Sequence, residues 1–241
     1  MDLTADPLPM VNVTPRRGRR RLAAVMVAAL LVALAACNPD PTGGARPPGP
    51  GAPAAGYSSS LRPATRAELP HSWRSGCPVS WTALSVVTVA YWGYDGKRHV
   101  GELVVNDSVA QDVRGVFRSI YNARFQIRRI HPVDDYGADD DRSMAANNTS
   151  AFNCRYVKGT TRWSEHSYGW AIDINPIQNP YVKGTFVDPP AGRDWTDRSS
   201  VVPGMITSES VVVRSFAGQG WEWGGHWQSS KDYQHLSLTG R

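Results

Sequence analysis

The chain has 241 residues, a formal net charge of +5 and 41% hydrophobic residues, enough for one domain with a substantial core. Five arginines and two aspartates lie before residue 37 and contribute +3, which leaves +2 for the rest. No basic stripe with interleaved aromatics remains beyond them, so no nucleic-acid partner is expected.

Arg16 to Arg21 is a basic cluster, and Leu22 to Ala36 is an almost unbroken apolar run of 15 residues. That length is short for a membrane span and suits the core of an export signal. The run ends Leu34-Ala35-Ala36-Cys37, which resembles a bacterial lipobox. The resemblance implies a signal peptide over residues 1–36, a mature start at Cys37 carrying lipid, and a domain held outside the cytoplasmic membrane by that anchor. The arginine cluster also bears a loose resemblance to a twin-arginine export signal. A short uncleaved anchor would leave the domain on the same side. Residues 37–60 are rich in Pro, Gly, Ala and Ser and read as a disordered tether. The domain itself is then 61–241.

With Cys37 spent on lipid, Cys77 and Cys154 remain, and export favours one disulfide between them. Ser85 to Tyr91 is β-branched and reads as a strand. Tyr94 to Lys97 is a turn, and His99 to Asn106 is the returning strand. Asn106 or Asp107 caps a helix to about Ala123, with Val109, Val113, Val116, Phe117 and Ile120 on one face. Phe125 to Ile130 alternates as a further strand, stopping before Pro132. Asp134 to Asn153 reads as a long polar loop; its aspartates lack the spacing of a calcium loop and are expected to be solvated. Asn175 to Pro203, with Tyr181, Phe186 and Trp195, is a candidate cleft wall. Ser208 is the expected cap of a short helix from Glu209 to about Ala217, closed by Gly218 or Gly220.

The chemistry concentrates in two stretches. Ser164 to Asn175 sets His166 and Asp173 seven residues apart, with Gly169 between them to permit a turn. Ala171 to Asn175 alternates, placing Ile172 and Ile174 on one face and Asp173 on the other. Near the end, Trp221 to Trp227 is followed by Asp232 and His235. Two imidazoles and one carboxylate are the protein ligands of a hydrolytic zinc site with an open position. Asp232 is left free as general base. His71, His99 and His131 stand outside these patterns and read as structural.

Taken in order, Ser164-x-His166-x-x-Gly169-x-Ala171-x-Asp173 and Trp223-Gly224-Gly225-x-Trp227 with Asp232-x-x-His235 resemble the LAS zinc peptidases. These comprise D-alanyl-D-alanine carboxypeptidases and L-alanyl-D-glutamate endopeptidases of bacterial cell walls. The likeness runs from about Val79 to Leu238; Asp139 to Met144 and Asn147 to Cys154 are similar to a secreted branch. It implies an α+β domain with a central antiparallel sheet flanked by helices and a cleft on that sheet for one Zn2+. It also implies a peptidoglycan stem peptide as substrate, first a D-Ala-D-Ala terminus and second the L-Ala–D-Glu bond, cut by a monomer. Arg142, in an Arg142-Ser143 pair, resembles the family arginine beside the scissile carbonyl, and Ser164 a substrate-binding position. His226 stands where an acidic residue is usual and Leu236 where Phe is usual. A non-catalytic wall-binding lipoprotein on the same scaffold is the rival from another class.

Overall fold

The computed structural model describes residues 56–241. The expected signal peptide, Cys37 and most of the tether lie outside them. The tether was expected to reach Ser60, but strand β1 (Ser59–Pro63) starts inside it. Ser59 and Ser60 pair with Val89 and Thr88, and the Tyr57 hydroxyl donates to the Arg114 carbonyl at 3.0 Å. Among the described residues no helix is long and apolar enough to cross a membrane.

The expected hairpin is the backbone of the domain: β2 (Leu84–Trp92) and β3 (Arg98–Asn106) pair antiparallel along their whole length. β2 is buried almost throughout because both of its faces are covered. On one, Val87, Val89 and Tyr91 join the main core with α1; on the other, Leu84 and Val86 pack with Leu69, Phe152 and Cys154. Helix α1 (Ala110–Asn122) buries Val113, Val116, Phe117 and Ile120, the stripe read from its period. The Asn106 side chain starts the run, accepting from Ser108 N at 3.1 Å. The chain then takes one 3-10 turn, Asp107–Val109, before the α-helix begins.

Two expectations fail between Phe125 and Asn153. Phe125 to Ile130 forms no strand, only single parallel bridges at Gln126 and Ile130. Its backbone is satisfied piecemeal: Ile127 N donates to the Trp92 carbonyl, the Arg129 carbonyl accepts from Thr149 N, and Asn175 Oδ1 accepts from Arg128 N, while Asn148 Oδ1 accepts from His131 N just beyond. The polar stretch that follows is a 3-10 turn, Val133–Tyr136, then α2 (Asp140–Ala145), capped by Asp139. Its aspartates Asp135, Asp139 and Asp141 are exposed, while Asn147, Asn148, Thr149, Ser150 and Asn153 are buried. Their amides repay that burial with hydrogen bonds, as when Asn147 Oδ1 accepts from Ile177 N at 2.9 Å.

The remaining strands are short: β4 (Ala171–Asp173), β5 (Tyr181–Lys183), β6 (Phe186–Asp188), β7 (Glu222–Trp223), β8 (Lys231–Asp232) and β9 (His235–Ser237). One expected central sheet is in fact three small sheets, ordered β1-β2-β3, β4-β9-β7 and β6-β5-β8. Helix α3 (Val211–Ala217) packs on α1. Its cap is Ser210, not Ser208, with Oγ accepting from Val213 N at 3.3 Å. Cys77 and Cys154 are bridged, with Cα atoms 5.9 Å apart.

Candidate metal centre

The site is assembled from two cross-strand partners and one turn. Asp173 on β4 lies opposite His235 on β9. Ile172, on the other face of the strand, and Ile174, just past its end, are fully buried in the core and so hold Asp173 toward the site. His166 comes from the 3-10 turn Glu165–Tyr168, which Ser164 caps, its Oγ accepting from His166 N at 3.4 Å. Gly169 ends that turn at φ +70°, and its carbonyl accepts from Asn106 N at 3.1 Å. A Cβ there would sit 2.5 Å from Asn106 N, so the position needs glycine for conformation and for space.

The three side chains converge. His166 Nε2 lies 3.0 Å from Asp173 Oδ2, and His235 Nδ1 lies 3.0 Å from Asp173 Oδ1. One ligand atom from each lies within 4.8 Å of the others, and all three residues are buried. The far nitrogens are fixed. His166 Nδ1 donates to the Ala151 carbonyl at 2.5 Å, and His235 Nε2 to the Arg241 carbonyl at 2.9 Å. Such outer contacts set which nitrogen faces the ion. His166 Nε2 is buried, faces Asp173 Oδ2 and has no other partner. Two imidazole nitrogens, one of them otherwise unpartnered, and one carboxylate fit a zinc ion.

Charge follows the same geometry. Burial works against ionisation of Asp173, but the imidazoles of His166 and His235 outweigh it and hold the carboxyl well below the usual range. Burial likewise opposes protonation of His235, but the hydrogen bond and charge of Asp173 carry it up to about 9. Asp232 goes the other way: burial pushes it up to about 7, with His235 opposing and Asp173 adding. Its Oδ1 is sealed from solvent and has no partner. Gly224 makes room for it, since a Cβ there would lie 2.6 Å from the Asp232 carbonyl oxygen and 2.8 Å from its Cβ.

A cleft of about 480 Å³ opens over these groups and is lined by Ser164, His166, Asp173, Asp232 and His235. Tyr181 and Phe186 contribute to its wall, whereas Trp195 does not. Arg142 is not in the cleft. It is exposed on α2, and its backbone N–H serves the helix cap, donating to Asp139 Oδ1 at 3.0 Å. Three arginines line the cleft, Arg155, Arg162 and Arg241; of these Arg155 is held by Asp140 at 2.8 Å, with its Nε buried and unpartnered. The sequence stretch compared with the secreted branch stops at Cys154, one residue short of it. Glu165 and Gln234, each beside a ligand in sequence, also line the cleft and were not anticipated. His226 is exposed and meets the Trp223 ring edge-on at 5.1 Å, outside the cleft lining.

No curated protein matches the chain. No solved structure matches it either. A family model described as D-alanyl-D-alanine carboxypeptidase matches residues 158–238. That third of the chain carries Ser164, His166, Asp173, Asp232 and His235, and over it the protein is similar to the D-alanyl-D-alanine carboxypeptidase family.

Proposed function

We propose that the protein is a zinc-dependent peptidase of bacterial cell-wall peptide stems, acting first as a D-alanyl-D-alanine carboxypeptidase. In this proposal it works as a monomer outside the cytoplasmic membrane, anchored there through lipid on Cys37. The observation that carries the reading is the convergence of His166, Asp173 and His235 beneath a cleft that Asp232 also lines.

A zinc ion held by His166, Asp173 and His235 would polarise the scissile carbonyl and lower the pKa of a water toward ~7. Asp232, raised to about 7 by its burial, is tuned to take a proton from the attacking water near neutral pH and pass it to the leaving nitrogen. Arg155 takes the part expected of Arg142. It is a guanidinium in the cleft, steadied by Asp140, available to the charge that develops on the carbonyl oxygen. Ser164 holds His166 through the turn cap and shares the cleft with the substrate.

The test is incubation of the zinc-loaded protein with muropeptides, locating the cut by mass. Loss of a terminal D-Ala supports the first choice, and cleavage between L-Ala and D-Glu moves the assignment to the endopeptidase. Asp232→Asn should retain zinc and lose roughly 10²–10⁴-fold in rate. No product from any stem peptide overturns the proposal, and less than one zinc per chain favours a wall-binding lipoprotein instead.

A further inference from the structure

The face at which the described chain begins is basic. Tyr57 packs on Tyr121 with ring centres 5.5 Å apart, and Tyr121 stacks on Trp92 at 5.2 Å. Four arginines surround these rings. The Arg118 guanidinium lies over the Tyr57 ring at 5.7 Å, and that of Arg124 over the Trp92 ring at 4.2 Å. Arg114 donates to Ser59 Oγ at 3.2 Å, and Arg98 donates to Ser58 Oγ. Arg118 and Arg124 are exposed, while Arg98 and Arg114 are half-buried.

Among the described residues no carboxylate is ion-paired with any of the four. The acids nearby are turned away or engaged. On α1, Arg114 and Arg118 lie one turn apart on one flank of the buried stripe, and Asp112 lies on the other flank. The β2–β3 register puts Arg98 on the Trp92 face and His99 on the other, where Asp95 bonds it at 2.9 Å. Glu68 and Glu102 are held by Arg62, at 2.6 and 3.8 Å. Val100, an apolar side chain 52% exposed, shares the face of Arg98 on β3.

Unpaired guanidiniums on one face attract a polyanion, and the planar fork matches phosphate oxygens two at a time. Single-stranded nucleic acid needs open rings on which bases stack. Here Trp92 and Tyr121 are buried and Arg118 covers Tyr57. Every residue before 56 joins the domain at this face, and Cys37 lies twenty positions before Tyr57. A coil of that length reaches about 25 Å, so lipid on Cys37 would keep the arginines close to a bilayer.

We propose that Arg98, Arg114, Arg118 and Arg124 form a surface that docks on an anionic phospholipid bilayer. It rests on the lipid-anchored placement proposed above and gives the domain a second hold on the membrane.

The test uses the full chain carrying Cys37→Ser, which removes the lipid. Its binding is measured by sedimentation with vesicles of phosphatidylcholine, alone or with about one-third phosphatidylglycerol, at about 0.05 and 0.5 M salt. At low salt the anionic vesicles should bind at least about tenfold more tightly, and the preference should vanish at high salt. Arg118→Gln with Arg124→Gln should weaken that binding roughly 10–30-fold, about fivefold for each arginine. Arg142→Gln with Arg193→Gln removes equal charge from exposed positions in α2 and the 3-10 turn Pro190–Trp195, and should weaken it less than about threefold. The Arg16 to Arg21 cluster is common to all three chains and cancels. No preference for anionic vesicles overturns the proposal. So do equal losses in the two double variants, which net charge alone would give. Capture by long-chain polyphosphate but not by anionic vesicles assigns the face to a wall polymer and also overturns it. The mass of the native chain reports lipid on Cys37 separately: an unmodified Cys37 defeats the anchor, while the vesicle preference still sustains the docking surface.

Discussion

The guanidinium of Arg155 and that of Arg142 lie thirteen positions apart in the sequence, and only the first lines the cleft. Arg155 is part-buried, salt-bridged to Asp140, and keeps a buried Nε without a partner. Donors fixed before the reaction cost no reorganisation when charge develops. Arg155→Ala should lower kcat by roughly 10²–10³-fold, with zinc content unchanged. Arg142→Ala should leave kcat within about twofold, because an exposed side chain outside the cleft has no contact to lose. Steady-state kinetics on one stem peptide checks both, and equal losses would return the role to Arg142. The convergence of His166, Asp173 and His235 was legible because each sits in a short pattern whose spacing is local chemistry. Arg155 was not, because what brings it to the cleft is the path of Asn147 to Cys154 alongside β4, through the Ser150–Asp173 bridge, and no periodicity reports that.

At the scale of elements, the β2–β3 hairpin and α1 followed from alternation, a turn signal and a helical stripe. The regions that were misread share a cause. Phe125 to His131 is held in part by amide side chains distant in sequence, Asn175 on Arg128 and Asn148 on His131, and Asn147 to Asn153 by single backbone bonds to scattered partners such as Arg129, Asp173, Val104 and His166; such pairings leave no period. The turn that carries His166 offers a controlled test of packing. Gly169 and Gly137 both end 3-10 turns at φ 70°, ψ 26°. A Cβ on Gly137 meets nothing within 4 Å, while one on Gly169 meets Asn106 N at 2.5 Å. Gly137→Ala should therefore cost only the left-handed backbone, about 1–2 kcal/mol. Gly169→Ala should cost at least about 1 kcal/mol more and weaken zinc binding, since His166 must shift with the turn. Denaturant melts and metal titration of the two variants check this; equal melts would mean that the Asn106 contact relaxes freely.

Across the whole molecule, the segments of the site are secured from outside it. The Cys77–Cys154 bridge spans 77 residues and ties the start of the domain to the residue preceding Arg155. Arg74, near its other end, donates to the Cys154 carbonyl at 2.6 Å. Closing a loop of that length stabilises by roughly 4–5 kcal/mol in the chain-entropy model. Replacing both cysteines by serine should lower the melting temperature by on the order of 10 °C. Catalysis should suffer more than zinc retention, because Arg155 is adjacent to the bridge while His166, Asp173 and His235 are held by other contacts. Calorimetry beside kinetics on the double variant measures the two effects; unchanged melting would show that the packing of Leu69, Leu84 and Phe152 suffices without the bridge.

Asp232 and His235 are separated by two residues yet belong to different sheets, the first in β6-β5-β8 and the second in β4-β9-β7. Tyr233 and Gln234 form the joint between them. A change at Tyr181 or Lys231 therefore reaches Asp232 through its own sheet, whereas one at Ala171 or Ser237 reaches His235; under the proposed function the first should erode rate and the second metal retention.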